Sequence, residues 1–136
     1  MLIVDTGPLV AYLNANDPDH VRCATLFEQR DDQLLVTPYV VTEACYLVAK
    51  YVGPEAEAIL VESILEGDLV QVDIRDTDLS RIVELMRQYR GFPLGLADSS
   101  VVAVAERLDA HEVVTLDRRH FHAIVPKHVN AFTLLP

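Results

Sequence analysis

The stretch Leu2-Ile3-Val4-Asp5-Thr6-Gly7-Pro8-Leu9 predicts a strand that ends on an acid and passes directly into a helix. Three consecutive aliphatics lack the alternation of a half-solvated strand, so the strand is expected to be covered on both faces. Thr6-Gly7 turns the chain, and Pro8 suits a first helical turn because its fixed φ is already helical and its missing N–H is not needed there. A covered strand feeding a helix is the unit of a parallel α/β sheet.

The rest of the chain repeats that unit. Asp17-Pro18 is a second helix start, with Val21, Ala24, Leu26 and Phe27 at roughly helical spacing up to Asp31-Asp32. Leu34-Leu35-Val36 predicts a strand, and Thr37-Pro38 caps an apolar helix that runs to Gly53 and contains Glu43. Pro54 opens a helix that Gly67 ends before a strand from Leu69 to Val72. Asp76 is expected to cap the helix of Leu79, Ile82, Val83, Leu85 and Met86. Gly91-Phe92-Pro93-Leu94-Gly95 is the one irregular stretch, and Leu96 to Leu108 predicts a helix with Asp98 in its first turn. Glu112-Val113-Val114-Thr115 predicts a strand that delivers Asp117, and a last strand is expected from Ala131 to Leu134. Repeats, linkers and low-complexity segments are absent. The expected class is α/β, a single domain over residues 1–136 with a mostly parallel central sheet covered on both faces.

Composition narrows the function. At 136 residues the chain is long enough to bury a core without disulfides or a structural metal. Its longest apolar runs, such as Val101 to Ala105, fall far short of the roughly 20 residues of a membrane span, so no membrane is expected. Met1-Leu2-Ile3-Val4 meets Asp5 with no basic-then-apolar leader, which predicts a cytoplasmic protein. Cys23 and Cys45 belong to no C-x-x-C pair and are expected to be buried thiols without chemistry. The 11 basic and 21 acidic residues give a net charge of −10 and exclude a broad basic surface for nucleic acid. Divalent ions held among acids would supply positive charge locally where a phosphate docks.

Asp5, Glu43, Asp98 and Asp117 are the acids placed to do this. In an open parallel sheet the carboxyl ends of the strands share one edge, and ligands bind there where strand order reverses. Asp5 and Asp117 both fall at that edge, and Asp98 opens a helix that can face the same crevice. Glu43 interrupts the apolar pattern Val40 to Val48, where a buried acid would need a partner. Crowded carboxylates raise one another's pKa unless a counter-charge is present, and oxygen-only ligation favours Mg²⁺ or Mn²⁺ over zinc. Taken singly, each has a structural alternative: a helix cap or turn for Asp5 and Asp117, a first-turn acid for Asp98, a helix-edge charge for Glu43.

In this order and spacing, Ile3-Val4-Asp5-Thr6-Gly7-Pro8-Leu9, Thr42-Glu43-Ala44, Leu96-Ala97-Asp98-Ser99-Ser100 and Thr115-Leu116-Asp117-Arg118-Arg119-His120-Phe121 resemble the PIN-domain ribonucleases, and among them the VapC-type toxins of toxin–antitoxin pairs. The resemblance spans essentially the whole chain. It implies a three-layer α/β/α PIN-like domain in which Asp5, Glu43, Asp98 and Asp117 bind one or two Mg²⁺ or Mn²⁺ ions, with Asp5 and Asp98 as principal ligands. It implies a metal-dependent endoribonuclease that leaves 5′-phosphate and 3′-hydroxyl ends, commonly dimeric, and held inactive by a cognate antitoxin that inserts a basic residue into the acidic site. Thr6 and Thr115 match hydroxyl positions near the family's site; a helix N-cap and a strand hydroxyl are their structural alternatives. The sequence departs from some relatives in placing Arg118, Arg119 and His120 after Asp117, where those relatives carry a further acid. Arg118, Arg119 and His120 would then contact RNA phosphates, or form a solvated turn.

Other readings stay open on sequence. Asp5 could be the nucleophile of an aspartyl phosphatase, although Gly7 stands where such enzymes place a second Asp. Metal-free cleavage would draw on His111, His120, His122 and His128, and His120-x-His122 could be a metal pair. A non-catalytic PIN-like binding module is the non-enzyme alternative. Tyr39, Tyr46, Tyr51 and the aliphatics of residues 39 to 65 predict either a homodimer face or core burial.

Overall fold

The computed structural model describes residues 1–92 and 94–136; the expected irregular segment therefore has Pro93 outside the described residues. The sheet is built from β1 (Leu2–Val4), β2 (Leu34–Val36), β3 (Leu69–Gln71), β4 (Glu112–Val114) and β5 (Thr133–Leu135). Its strand order is β3-β2-β1-β4-β5 and every pairing is parallel. The helices are α1 (Thr6–Leu13), α2 (His20–Gln29), α3 (Pro38–Tyr51), α4 (Pro54–Glu66), α5 (Asp76–Gln88), α6 (Leu96–Leu108) and α7 (Arg118–Ala123). They cover the sheet in the three-layer α/β/α arrangement expected.

The centre of the sheet explains the opening aliphatic run. β1 lies between β2 and β4, and Leu2, Ile3 and Val4 are all fully buried. A strand covered on both faces has no polar side to alternate with. The core continues through Val36, Val40, Leu85, Val101, Val104, Val113, Val114 and Phe121. Successive strands lie on one side of β1 and the last two on the other, so strand order reverses between β1 and β4. The carboxyl ends of those two strands therefore flank the crevice where an open sheet binds ligands.

A polar link fixes two of the helices that border this crevice. Thr37 caps α3, its Oγ1 accepting from Val40 N at 3.2 Å. The same oxygen lies 2.7 Å from Ser100 Oγ. Ser100 spends its proton on Ala97 O at 2.6 Å, so Thr37 donates to Ser100. A fully satisfied buried polar link thus ties the start of α3 to the first turn of α6. α4 ends at Gly67, whose φ of 90° is the left-handed conformation a glycine tolerates best.

Several boundaries differ from expectation. α2 begins at His20, because Asp17 accepts from Asp19 N at 2.8 Å and spends that segment on a turn. The cap position of α5 is Arg75, not Asp76, and Asp78 reaches back to accept from Arg75 N at 3.0 Å. The last strand begins at Thr133 rather than Ala131. A short helix, α7, follows Asp117 where the sequence left a turn open. Cys23 is buried as expected, while Cys45 is only half-buried. Among the described residues no helix is long and apolar enough to cross a membrane.

Candidate active site

Asp5 directly follows β1 and Thr115 directly follows β4. The register that pairs Val4 with Val114 sets these two residues side by side, and Asp5 N donates to Val114 O at 2.9 Å. Thr115 Oγ1 donates to Asp5 Oδ2 at 2.8 Å and accepts from Asp117 N at 3.0 Å. One buried hydroxyl therefore positions both strand-end acids. Asp5 stands at the N-cap position of α1, yet its side chain makes no capping bond. Its Oδ1 is buried and has no hydrogen-bond partner. The structural alternative for Asp5, a helix cap, is not what this side chain does.

Asp117 combines both roles. Its Oδ1 caps α7 by accepting from His120 N at 3.1 Å. His120 Nδ1 lies 2.7 Å from Asp117 Oδ2, an ion-pair approach whose angle is not that of a hydrogen bond. Glu43 corrects an expectation: it is exposed, not buried, on the side of α3 that borders the crevice. Thr6, itself buried, holds it loosely, Oγ1 donating to Glu43 Oε2 at 3.4 Å. Asp98 sits half-buried in the first turn of α6.

These acids line a crevice of about 520 Å³ with Thr6, Gly7, Val10, Leu47 and Leu116. Asp17, which the sequence offered only as a helix start, lines it too. It lies in the turn between α1 and α2, and no periodicity announces that this turn reaches the crevice. The site is electrostatically unbalanced. Burial foremost, then the charge of Asp98, pushes Asp5 up to about 7, against the Thr115 hydroxyl and the Thr6 N–H that favour its ionised form. Asp98 is also raised, by burial and then by Asp117 and Glu43. Among the described residues no Lys or Arg makes an ion pair with Asp5, Glu43, Asp98 or Asp117.

A hard divalent cation fits this arrangement, because Asp5 Oδ1 is an orphaned buried acceptor in an oxygen-only donor set. The acids line the crevice without closing on a point: among the described residues the only three ligand-bearing side chains within 4.8 Å of one another are Asp109, His111 and His128. Mutual repulsion keeps carboxylates apart in the absence of a counter-charge.

Of the two arginines in the stretch after Asp117, Arg118 donates to the main-chain oxygen of Pro136. Arg119 lies over the Phe92 ring at 4.9 Å, and His120 packs on the same ring at 4.4 Å. His111 and His128 lie by the start of β4, at the end of the sheet remote from the acids, and His122 is exposed. The four histidines offered as a metal-free catalytic set are therefore not brought together, and among the described residues no third ligand joins the His120-x-His122 pair.

The chain is similar to known proteins in sequence and in fold. The family profile of the PIN domain matches residues 2–125. Over 135 residues the chain is 34% identical to ribonuclease VapC26 of Mycobacterium tuberculosis, covering 99% of this chain and 100% of that protein. Among solved structures, the fold is shared with VapC20 of M. tuberculosis, a toxin that cleaves the sarcin–ricin loop, at a TM-score of 0.78 and 17% identity over 83% of this chain and 87% of that one. It is also shared with VapBC2 of Rickettsia felis, bound to a promoter DNA fragment, at a TM-score of 0.71 and 18% identity over 99% and 98% of the two chains.

Proposed function

We propose, from the premise that this chain belongs to the PIN-domain family and within it to the VapC ribonucleases, that it is a Mg²⁺- or Mn²⁺-dependent endoribonuclease whose reaction is carried by Asp5, Glu43, Asp98 and Asp117. Cleavage of RNA by hydrolysis is the activity of the family. The observation that carries the assignment of residues is the buried, unpartnered Asp5 Oδ1 beside Asp98, in a crevice whose acids make no ion pair with Lys or Arg among the described residues.

The ion, when bound, supplies the charge that holds a phosphodiester against an acidic protein and lowers the pKa of water for attack. Thr115 keeps Asp5 Oδ2 engaged, so that the buried Oδ1 alone is left without a partner for ligation. The same hydroxyl and the α7 N-terminus fix Asp117 in place, so both strand-end acids are oriented before substrate arrives. Glu43, on the open side, can take the proton of the attacking water at its carboxylate and release it to solvent. Arg119 on Phe92 offers a cationic, aromatic surface beside Asp117 for the RNA strand. Thr6 has a weaker claim because its hydroxyl holds Glu43, and Arg118 because it is engaged with the main-chain oxygen of Pro136.

The biological setting that fits is the toxin of a type II toxin–antitoxin pair, a single PIN domain over residues 1–136 acting in the cytoplasm under a cognate antitoxin. Homodimerisation through α3 and α4 belongs to the same reading. Tyr39 packs against the core, but Tyr46, Tyr51, Ile59, Val61 and Leu65 are exposed, Leu65 by 85%, and an apolar face of this kind marks an interface. The proposal is tested by incubating antitoxin-free protein and Asp98→Asn with a mixed RNA pool in Mg²⁺, Mn²⁺ or EDTA and reading the product ends. Metal-dependent cuts with 5′-phosphate ends, absent from the variant, are expected. EDTA-resistant cuts with cyclic-phosphate ends would transfer the chemistry to histidine.

A further inference from the structure

The acids occupy one end of strand β4; a different set of ligands gathers at the other. Asp109 ends α6, His111 precedes β4, and His128 lies on the segment that leads into β5. One carboxylate oxygen and one nitrogen from each imidazole lie within 4.8 Å of one another. We infer that Asp109, His111 and His128 form a second metal site, for a borderline transition ion of the Zn²⁺ class, separate from the acidic crevice.

The donor set argues for that class of ion. Two imidazoles and a carboxylate, with a fourth position open to water, suit zinc, whereas the oxygen-only crevice suits magnesium or manganese. Tetrahedral ligands at about 2.0–2.2 Å from zinc stand roughly 3.4 Å apart, so closure needs shifts on the order of 1 Å. Asp109 and His111 are exposed and free to make them. They are already in contact, His111 Nε2 lying 3.1 Å from Asp109 Oδ1.

His128 supplies the independent observation. Its Nε2 lies 2.7 Å from the carbonyl of Ala110. A carbonyl only accepts, so Nε2 carries the ring proton and Nδ1 is left with its lone pair. That Nδ1 is buried and has no hydrogen-bond partner. A ring whose one N–H is spent on a backbone carbonyl, with the other nitrogen free, is in the protonation state a metal-ligating histidine requires. The His111 and His128 rings stand 5.7 Å apart, and Phe132 closes one side of His128 at 5.8 Å. An ion here would tie the end of α6 and the start of β4 to the chain that feeds β5, reinforcing the bond from Thr133 N to His111 O at 2.9 Å. This is a structural role, and it makes no demand on the catalytic acids.

The test is calorimetric titration of Zn²⁺ into the intact protein held in excess Mg²⁺, with thermal melts in parallel, for the wild type, His111→Ala, His128→Gln and Asp5→Asn. The expected result is one Zn²⁺ per chain and a melting temperature that rises with it. Both effects should weaken at least tenfold in affinity in His111→Ala and His128→Gln and persist in Asp5→Asn. His111 is exposed, so His111→Ala should melt like the wild type without metal. Zinc binding that survives His111→Ala, that vanishes in Asp5→Asn, or that is absent from the wild type overturns the site.

Discussion

Asp5 and Asp78 are buried to the same degree, 5% and 3% exposed, and live in opposite electrostatic worlds. Asp78 reaches from α5 to α6, where Arg107 Nε lies 3.0 Å from both its oxygens and donates to them. It also accepts from Arg75 N, and Arg107 Nη2 goes on to Asp73 O at 2.7 Å. Beside it, Arg81 grips Glu106 through two bonds of 2.8 and 2.9 Å and, against the upward push of burial, holds that carboxyl below its usual range. Asp5 has a threonine hydroxyl on one oxygen and nothing on the other. Burial by itself distinguishes nothing; a missing counter-charge does. The chain neutralises the acids that staple α5 to α6 and leaves Asp5 without a counter-charge, which is what the proposed cation site requires.

The comparison breaks most visibly if each aspartate is neutralised in turn. Asp5→Asn should cost cleavage on the order of 10³-fold or more, while the metal-free protein keeps or gains stability because a repelling charge has gone. Asp78→Asn should do the reverse. Stranding the largely buried Arg107 costs about 3 kcal/mol in urea unfolding, with cleavage per folded molecule unchanged. If Asp5→Asn unfolds the metal-free protein, Asp5 is a structural acid like Asp78.

A smaller effect sharpens the same contrast through pH. Asp5 has a folded pKa of about 7, above its ordinary value of 3.8. The folded state therefore holds a proton that the unfolded chain has lost, and Asp5's contribution to stability is fully present below about pH 4 and disappears as pH rises through about 7. Metal-free melts between these limits should show stability falling with rising pH, and Asp5→Asn should flatten that slope. A wild-type slope that the substitution leaves unchanged would show that Asp5 is not the group being titrated.

The fold was legible wherever an aliphatic run met a punctuating residue. Leu2-Ile3-Val4 before Asp5, Thr37-Pro38 opening α3 and Gly67 closing α4 each carry a local physical signal. The strand-end acids were legible because chain order in a parallel sheet decides which edge they share. What escaped depends on contacts remote in sequence. Asp17 enters the crevice by a turn, α7 is six residues long with only Phe121 buried, and Asp78 finds Arg107 on another helix 29 positions away. Glu43 misled in an instructive way. Its apolar neighbours on α3 suggested burial, but a helix can turn a single acid out of its packed face toward a crevice, and local composition does not reveal which way it turns.

The most direct test of the central claim is a Mn²⁺ titration followed by calorimetry on the wild type, Asp5→Asn and His111→Ala. Manganese is chosen because it favours oxygen ligands and competes weakly for imidazole. Binding that is present in the wild type, retained in His111→Ala and lost in Asp5→Asn is the predicted result. Equal binding in the wild type and Asp5→Asn would contradict the account, for the unbalanced carboxylate at the end of β1 would then not be what the ion comes to neutralise.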